Sequence, residues 1–239
     1  MAERPIFIPA PDSPELVKEL SIQLTWHPGF APSQKRKNVV SLHESAARLG
    51  YSPILEISTK SEEKVGQRLS AFNLKVHSEV LGTMPLETAF QGSKVFQQGG
   101  PFTDLYGLEN VREAKRDIRL KESGPLKGFK FENFWFPLEP KTAFYDWLYI
   151  TSLYKHRDWL RRHILKYAGF TDIEFNPERS INCQARSCAL LVTLLKNDWI
   201  DDAVSSPEAF IKLLASYEYS PAHARSMVQE ATVRQLSGD

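Results

Sequence analysis

The sequence has little cysteine. Cys183 and Cys188 are the only two among 239 residues. Two thiols five positions apart, near a predicted helix start, are too few for a structural zinc site, which takes four ligands. They are expected to be buried or half-buried thiols. The six histidines, at 27, 43, 77, 156, 163 and 223, fall in no metal-ligand pattern. Neither a metal nor a cofactor is expected. An excess of one charge is missing too, since 30 Lys and Arg stand against 29 Asp and Glu. A chain that grips long DNA through many phosphates carries a basic surplus, so any DNA contact here is expected to be local. No apolar run reaches the roughly 20 residues of a membrane helix. The opening Met1-Ala-Glu-Arg-Pro-Ile-Phe-Ile-Pro9 lacks the charged-then-apolar layout of a secretory signal. A reducing cytoplasm is therefore the expected compartment. Familiar enzyme motifs are absent: there is no Gly-x-Ser-x-Gly, no His-Glu-x-x-His and no Gly-x-Gly-x-x-Gly. The turn Gln97-Gln-Gly-Gly-Pro-Phe102 is not followed by the Gly-Lys-Ser/Thr of a phosphate loop. No internal repeat or low-complexity stretch is present.

What is present is alternation of short strands and helices. Residues 6–8 and 20–26 read as strands, the second from the alternation of Leu20, Ile22, Leu24 and Trp26. Residues 27–37 read as a loop, 38–49 as a helix stopped by Gly50, 53–58 as a strand and 69–76 as a second extended segment. A cationic helix is predicted over 109–122, an aromatic-rich extended segment over 128–136, and helices over 141–155, 156–167 and 182–196. Residues 170–175 form a short strand or edge. After Asp198 the texture changes, with amphipathic helices predicted at 207–217 and 221–236. The fold class is α/β (α+β): one domain, mainly helical, around a small sheet.

The organising stretch is Met84-Pro-Leu-Glu-Thr-Ala-Phe-Gln-Gly-Ser-Lys-Val-Phe96. It reads as a helix with Pro85 at its first position. At about 100° per residue, Leu86, Ala89, Phe90, Ser93 and Phe96 share one face. Glu87, Gln91 and Lys94 run along that face's edge. Such a row is either a partly solvated flank or a set of groups presented to a pocket.

Leu69-Ser-Ala-Phe72 and the later Pro85-Leu-Glu-Thr-Ala-Phe-Gln-Gly-Ser-Lys94 together resemble the signature of the NADAR family. Its pattern is Ser-x-Phe followed by a helix with Glu-x-x-x-Gln-x-x-Lys. Further segments resemble the branch found beside DarT-type DNA ADP-ribosyltransferase toxins: Trp26–Phe30, Ser33–Lys35, Ser41–Glu44, Glu56–Glu62, Phe96–Tyr106 and Phe136–Trp147. The likeness covers roughly residues 3–195. It implies the NADAR fold, with 1–198 as a catalytic domain and 199–239 as a helical extension packed on it.

The resemblance implies an N-glycosidase that removes ADP-ribose from guanine in DNA, single strands being easier because the modified amine must leave the base stack. ADP-ribose is the expected product, a DarT-type toxin a possible partner, and no membrane is involved. Alternatives are an antitoxin that only binds its toxin, and a glycosidase acting on a small riboside. Glu87 matches the motif glutamate, with Gln91 and Lys94 beside it; Lys94 is equally a structural ion-pair partner. Asp172 matches a downstream aspartate, although Phe175 stands where many members have tryptophan. Lys35 and Lys60 are candidates for attack on the anomeric carbon. Ser70, Phe72, Trp135, Arg119 and Arg186 are candidates for substrate binding, Phe72 and Trp135 by stacking and the arginines at the diphosphate. The asparagine often found between the motif's Ser and Phe is Ala71 here.

Overall fold

Apolar alternation at both ends of a tight turn builds a long hairpin. In the computed structural model, which describes residues 2–219 and 221–222, β1 (Ala2–Ala10) pairs antiparallel with β2 (Leu16–Leu24) along their whole length. Both strands begin before their apolar alternation indicated, because backbone pairing carries them through polar positions such as Arg4 and Lys18; β2 stops at Leu24, so Trp26 lies outside the strand expected to hold it. α1 (Pro32–Arg48) lies against the hairpin. Ile6, Ile22, Leu24, Val39, Leu42, Ala46, Ile54 and Ile173 form one apolar cluster there. The helix begins at Pro32, not at Asn38, so Lys35 sits on a helix instead of in a loop. Proline is well placed at a helix start, where its missing N–H leaves nothing unpaired.

β3 (Ile54–Glu56) is followed by the single turn α2 (Lys64–Arg68) and a 3-10 turn at Ala71–Asn73. The extended segment expected from Leu69 is therefore a turn, and only its end enters a strand. β4 (Lys75–Ser78) and β5 (Gly82–Pro85) form a small hairpin. Next, α3 (Leu86–Gly92) is shorter than the helix expected over 84–96. Pro85 ends β5 and caps α3, and Lys94 is already in β6 (Lys94–Phe96). The helix ends in close packing that only glycine allows: a side chain on Gly92 would fall 2.5 Å from the Tyr106 ring.

The cationic stretch 109–122 is two short helices, α4 (Val111–Arg116) and α5 (Arg119–Glu122). They break at Asp117, whose backbone is extended and whose carboxylate accepts from the Arg119 N–H. β7 (Leu126–Phe131) and β8 (Phe134–Phe136) turn at Glu132 and join β6 in a sheet of order β6-β7-β8. α6 (Ala143–Tyr154) and α7 (Arg157–Ile164) lead to β9 (Gly169–Thr171), which completes the main sheet, β2-β1-β9-β3, by parallel pairing with β3.

α8 (Gln184–Lys196) is the central helix. Every residue from Gln184 to Leu195 is buried, so the single apolar stripe expected of it is a helix covered on all sides. It packs on β1, β9 and α6. α9 (Ile200–Ala203) and α10 (Pro207–Ala215) follow; Phe210, Leu214 and Tyr219 join the same core cluster as α6 and α8. Ser206 caps α10 by accepting from the Ala209 N–H. Almost all of the helix expected over 221–236 lies outside the described residues. The architecture is mixed α/β, with the larger core between the four-stranded sheet and the helices.

Candidate functional site

The Ser70–Phe72 turn is clamped from below and open above. The Tyr149 hydroxyl on α6 donates to the Leu69 carbonyl at 2.8 Å. Gln184, the first residue of α8, accepts from the Ala71 N–H at 2.7 Å and from the Ser70 hydroxyl at 3.3 Å. Its amide nitrogen donates to Asp172 Oδ2 at 2.8 Å. Ser70 is fully buried, so it holds the turn instead of meeting solvent. Phe72 is left 50% exposed.

On one side of this turn lies Glu87, buried because all of α3 is buried. Its Oε1 accepts from the Tyr145 hydroxyl at 3.1 Å, and Oε2 meets Lys115 Nζ at 2.7 Å. Burial, reinforced by Glu87, holds the Tyr145 hydroxyl well above its ordinary range, so it stays a donor. Lys115 Nζ lies 4.9 Å from the centre of the Phe72 ring, a cation–π distance. Lys94 donates to Gln91 Oε1 at 2.7 Å and sits 5.0 Å from the Phe90 ring centre. Burial lowers Lys94 to about 8, against the pull of Glu87.

On the other side a cavity of ≈ 340 Å³ is lined by Ser58, Thr59, Phe72, Asp172, Arg179 and Gln184, among others. Asp172 accepts from the Glu174 N–H and from Gln184. Burial, with Glu56 nearby, nevertheless pushes its carboxyl up to about 7. Glu56 is buried in β3, and burial raises it as well. It accepts from the Ser58 hydroxyl (2.7 Å), the Thr171 hydroxyl (2.7 Å) and the Ile173 N–H (3.0 Å). The Thr171 oxygen also lies 2.9 Å from His43 Nε2. Since that hydroxyl donates to Glu56, the ring nitrogen must donate to it. The assignment fits a neutral imidazole, because burial lowers His43 to about 4.

Lys35 is paired with Glu174. Lys60 Nζ lies 3.3 Å from Thr59 Oγ1 and faces an adjoining hollow of ≈ 440 Å³ that shares Thr59 with the cavity. Glu87, Gln91, Lys94, Ser70, Phe72 and Asp172 are thus gathered around one turn, with Lys35 and Lys60 at the far edge.

Three expected binders are not brought to this cavity. Trp135 is half-exposed on β8 with its ring over Gly128. Arg119 is held by Asp104 at 2.6 Å and Asp117 at 2.8 Å, with Phe102 beneath it. These hydrogen bonds raise the guanidinium and lower both carboxyls. Arg186 is 2% exposed, 4.0 Å from the Tyr219 ring centre, and shares Asp146 and Thr142 with that tyrosine's network. It is a buried structural cation, because α8 is covered on all sides.

Sequence reasoning assigned no role to Glu56, His43, Thr171, Tyr145, Lys115 or Gln184. Glu56 carried a usable signal, a carboxylate between Leu55 and Ile57 in an apolar strand. Lys115 read as one of several cations on a solvated face. Gln184 has no local signal.

Among the described residues no group of three or more His, Cys, Asp and Glu could hold a metal ion, and no helix is long and apolar enough to cross a membrane. None of the curated proteins matches the chain. Residues 2–224 match the family described as DarT1-associated NADAR antitoxin. That match spans nearly the whole sequence and includes both carboxylates flanking Phe72: the chain belongs to the NADAR family, in its DarT1-associated antitoxin branch.

Proposed function

We propose that this antitoxin is an ADP-ribosyl glycohydrolase that removes ADP-ribose from guanine in DNA and so reverses the modification made by its DarT-type toxin. One observation carries the reading. An exposed aromatic ring, Phe72, meets Lys115, which is paired with the buried carboxylate of Glu87, and lines the cavity that also holds the carboxyl of Asp172. That is the equipment an N-glycosidic bond requires. The bond between the anomeric carbon and the exocyclic nitrogen breaks, and its electron pair stays on nitrogen, which takes a proton. Water adds to the carbon and loses a proton, giving ADP-ribose and unmodified guanine.

Glu87 stabilises the positive charge that builds on the sugar. Asp172, with a pKa of about 7, exchanges protons readily near neutral pH and serves the water or the leaving amine. Phe72 stacks on a base, and Arg179 with Lys60 meets the diphosphate. The site of action is the cytoplasm, where toxin and DNA meet.

The test is release of ADP-ribose from a guanine-ADP-ribosylated single strand, followed together with strand mobility. The expected result is full reversal by the wild type and a loss of about 10²–10³-fold in Glu87→Gln. No release from a verified substrate overturns the proposal. Protection from the toxin that survives Glu87→Gln without release assigns the chain to toxin binding. A borohydride-trapped adduct moves the chemistry to a lysine, Lys35 or Lys60, acting through a Schiff base.

A further inference from the structure

A second concavity lies behind the same turn. It has a volume of ≈ 380 Å³ and lies between the α2–β4 segment and the corner where α6 meets α7. Arg68, Lys75, Lys155, His77, His156 and Trp159 line it, with leucines at its floor and no Asp or Glu among the lining residues. Arg68, Lys75 and Lys155 are exposed. Among the described residues none of the three is ion-paired. The chain as a whole is nearly neutral at +1, so three unpaired cations around one hollow are a local concentration, not a share of a general excess.

The hollow also has an aromatic wall. Trp159 is half-buried, its ring stacked on His163 with centroids 4.3 Å apart, and Arg68 lies 5.9 Å from its centre. Cations around an aromatic platform suit a polyanion that carries flat bases. The position matters as much as the composition. Asn73 lines this hollow and Phe72 lines the cavity with Asp172. Neighbouring Cα atoms are only about 3.8 Å apart, so successive residues of the Ala71–Asn73 turn contribute to the two concavities.

We infer that the hollow is a strand-binding site. It holds the phosphodiester backbone of the single strand that bears the ADP-ribosylated guanine, with a flanking base on Trp159. The inference rests on the glycohydrolase reading for the identity of the strand.

The test uses the full chain and the triple variant Arg68→Gln, Lys75→Gln, Lys155→Gln. The three side chains are exposed, and unchanged thermal melting verifies the fold. Binding of an unmodified, fluorescein-labelled single strand of about 15 nucleotides is measured by anisotropy at about 50 and about 200 mM salt. The variant is expected to bind about tenfold more weakly or worse at the lower salt. Its log–log salt slope should be shallower by about 2, near 0.7 for each phosphate that no longer meets a cation. In release assays kcat/KM on the modified strand falls by a similar factor, while an ADP-ribosylated guanine mononucleotide is turned over as by wild type. Equal strand affinity and salt slope in the two proteins overturn the inference. So does a wild type that fails to bind the plain strand, and activity on the modified strand would then leave the glycohydrolase reading standing. An equal loss on strand and mononucleotide overturns it as well. Competition by inorganic phosphate or pyrophosphate as strong as by the strand reassigns the hollow to a small anion. Loss of toxin capture with strand binding intact reassigns it to a protein contact.

Discussion

Asp172→Asn should change how stability depends on pH, and by an amount the structure sets. In the folded chain the carboxyl of Asp172 rises from its ordinary 3.8 to about 7, through burial and the nearby Glu56. A group that binds its proton more tightly when folded adds stability in full below its unfolded pKa. That contribution is lost as pH rises through the folded value. At about 1.4 kcal/mol per tenfold change in proton affinity, the whole rise corresponds to roughly 4 kcal/mol. Nearly 3 kcal/mol of it falls between about pH 5 and about pH 8. Asp172 borders the cavity and is only half-buried, so water screens part of this, leaving roughly 1–2 kcal/mol. The asparagine cannot ionise and removes the slope. It also carries a pH-independent cost of about 1–2 kcal/mol, because its NH₂ meets the amide nitrogen of Gln184, whose oxygen is committed to the Ala71 N–H. Urea unfolding, followed by tryptophan fluorescence at several pH values, separates the two effects. At an m-value of roughly 2 kcal/mol/M, the wild-type midpoint should fall between pH 5 and pH 8 by about 0.5–1 M more than that of the variant. Glu56 is present in both proteins and largely cancels in the difference. Parallel pH profiles would refute the reasoning.

Gly66→Ala should be severe: the added carbon would lie 2.0 Å from the Glu56 carbonyl oxygen and 2.3 Å from Ser61 Oγ. A loss of about 3 kcal/mol is expected, seen as a Tm lower by about 6–12 °C. Tyr149→Phe removes the donor to the Leu69 carbonyl and should cost about 1–2 kcal/mol in urea unfolding. Faster amide hydrogen exchange at Ala71 and Asn73 would show that the turn loosens. Tyr219→Phe removes the bond to Asp146 Oδ2 at 2.8 Å but keeps the ring against Arg186. A cost of about 1–2 kcal/mol, unequal to that of Tyr219→Ala in the same urea assay, would separate the hydroxyl from the ring.

Periodicity made the helices legible where one face is apolar and the other wet, as over 207–215. It overran where tertiary contacts intervene. The row Glu87, Gln91, Lys94 read as one helix edge, yet Lys94 pairs with Phe129 in a sheet. Its Nζ still reaches Gln91, by folding back from the strand and not along a helix. The turn at Ala71–Asn73 was unreadable because its stabilising partners, Tyr149 and Gln184, lie about 80 and 110 positions away in sequence. Helical spacing put Glu87 at the edge of an apolar face and the resemblance gave it a role, whereas Asp172 was named by resemblance alone; nothing local in its segment announces the burial that raises it. The arginines lie away from this cavity for the opposite reason. Arg186 looks available in sequence, but α8 is covered on every side, and a buried guanidinium takes a carboxylate instead of a ligand.

The turn's rigidity and the proton affinity of Asp172 are two consequences of one amide. Gln184 has a single arrangement that satisfies both neighbours: oxygen toward the Ala71 N–H, nitrogen toward Asp172. A glutamate there would place like charges together, and an apolar residue would leave the Ala71 N–H buried without a partner. Two donors, the Gln184 amide and the Glu174 N–H, favour ionised Asp172, while burial and Glu56 favour the protonated form. The opposition leaves the carboxyl near neutrality, free to change protonation state while the frame that holds Phe72 stays fixed. On the other side of the ring the same economy appears with the sign reversed. Lys94 is lowered toward neutrality by burial and restrained by Glu87, which stays engaged with Tyr145 and Lys115. Both groups are poised by desolvation set against a fixed partner, an arrangement that suits proton transfer beside a held ring better than it suits a surface made only to bind.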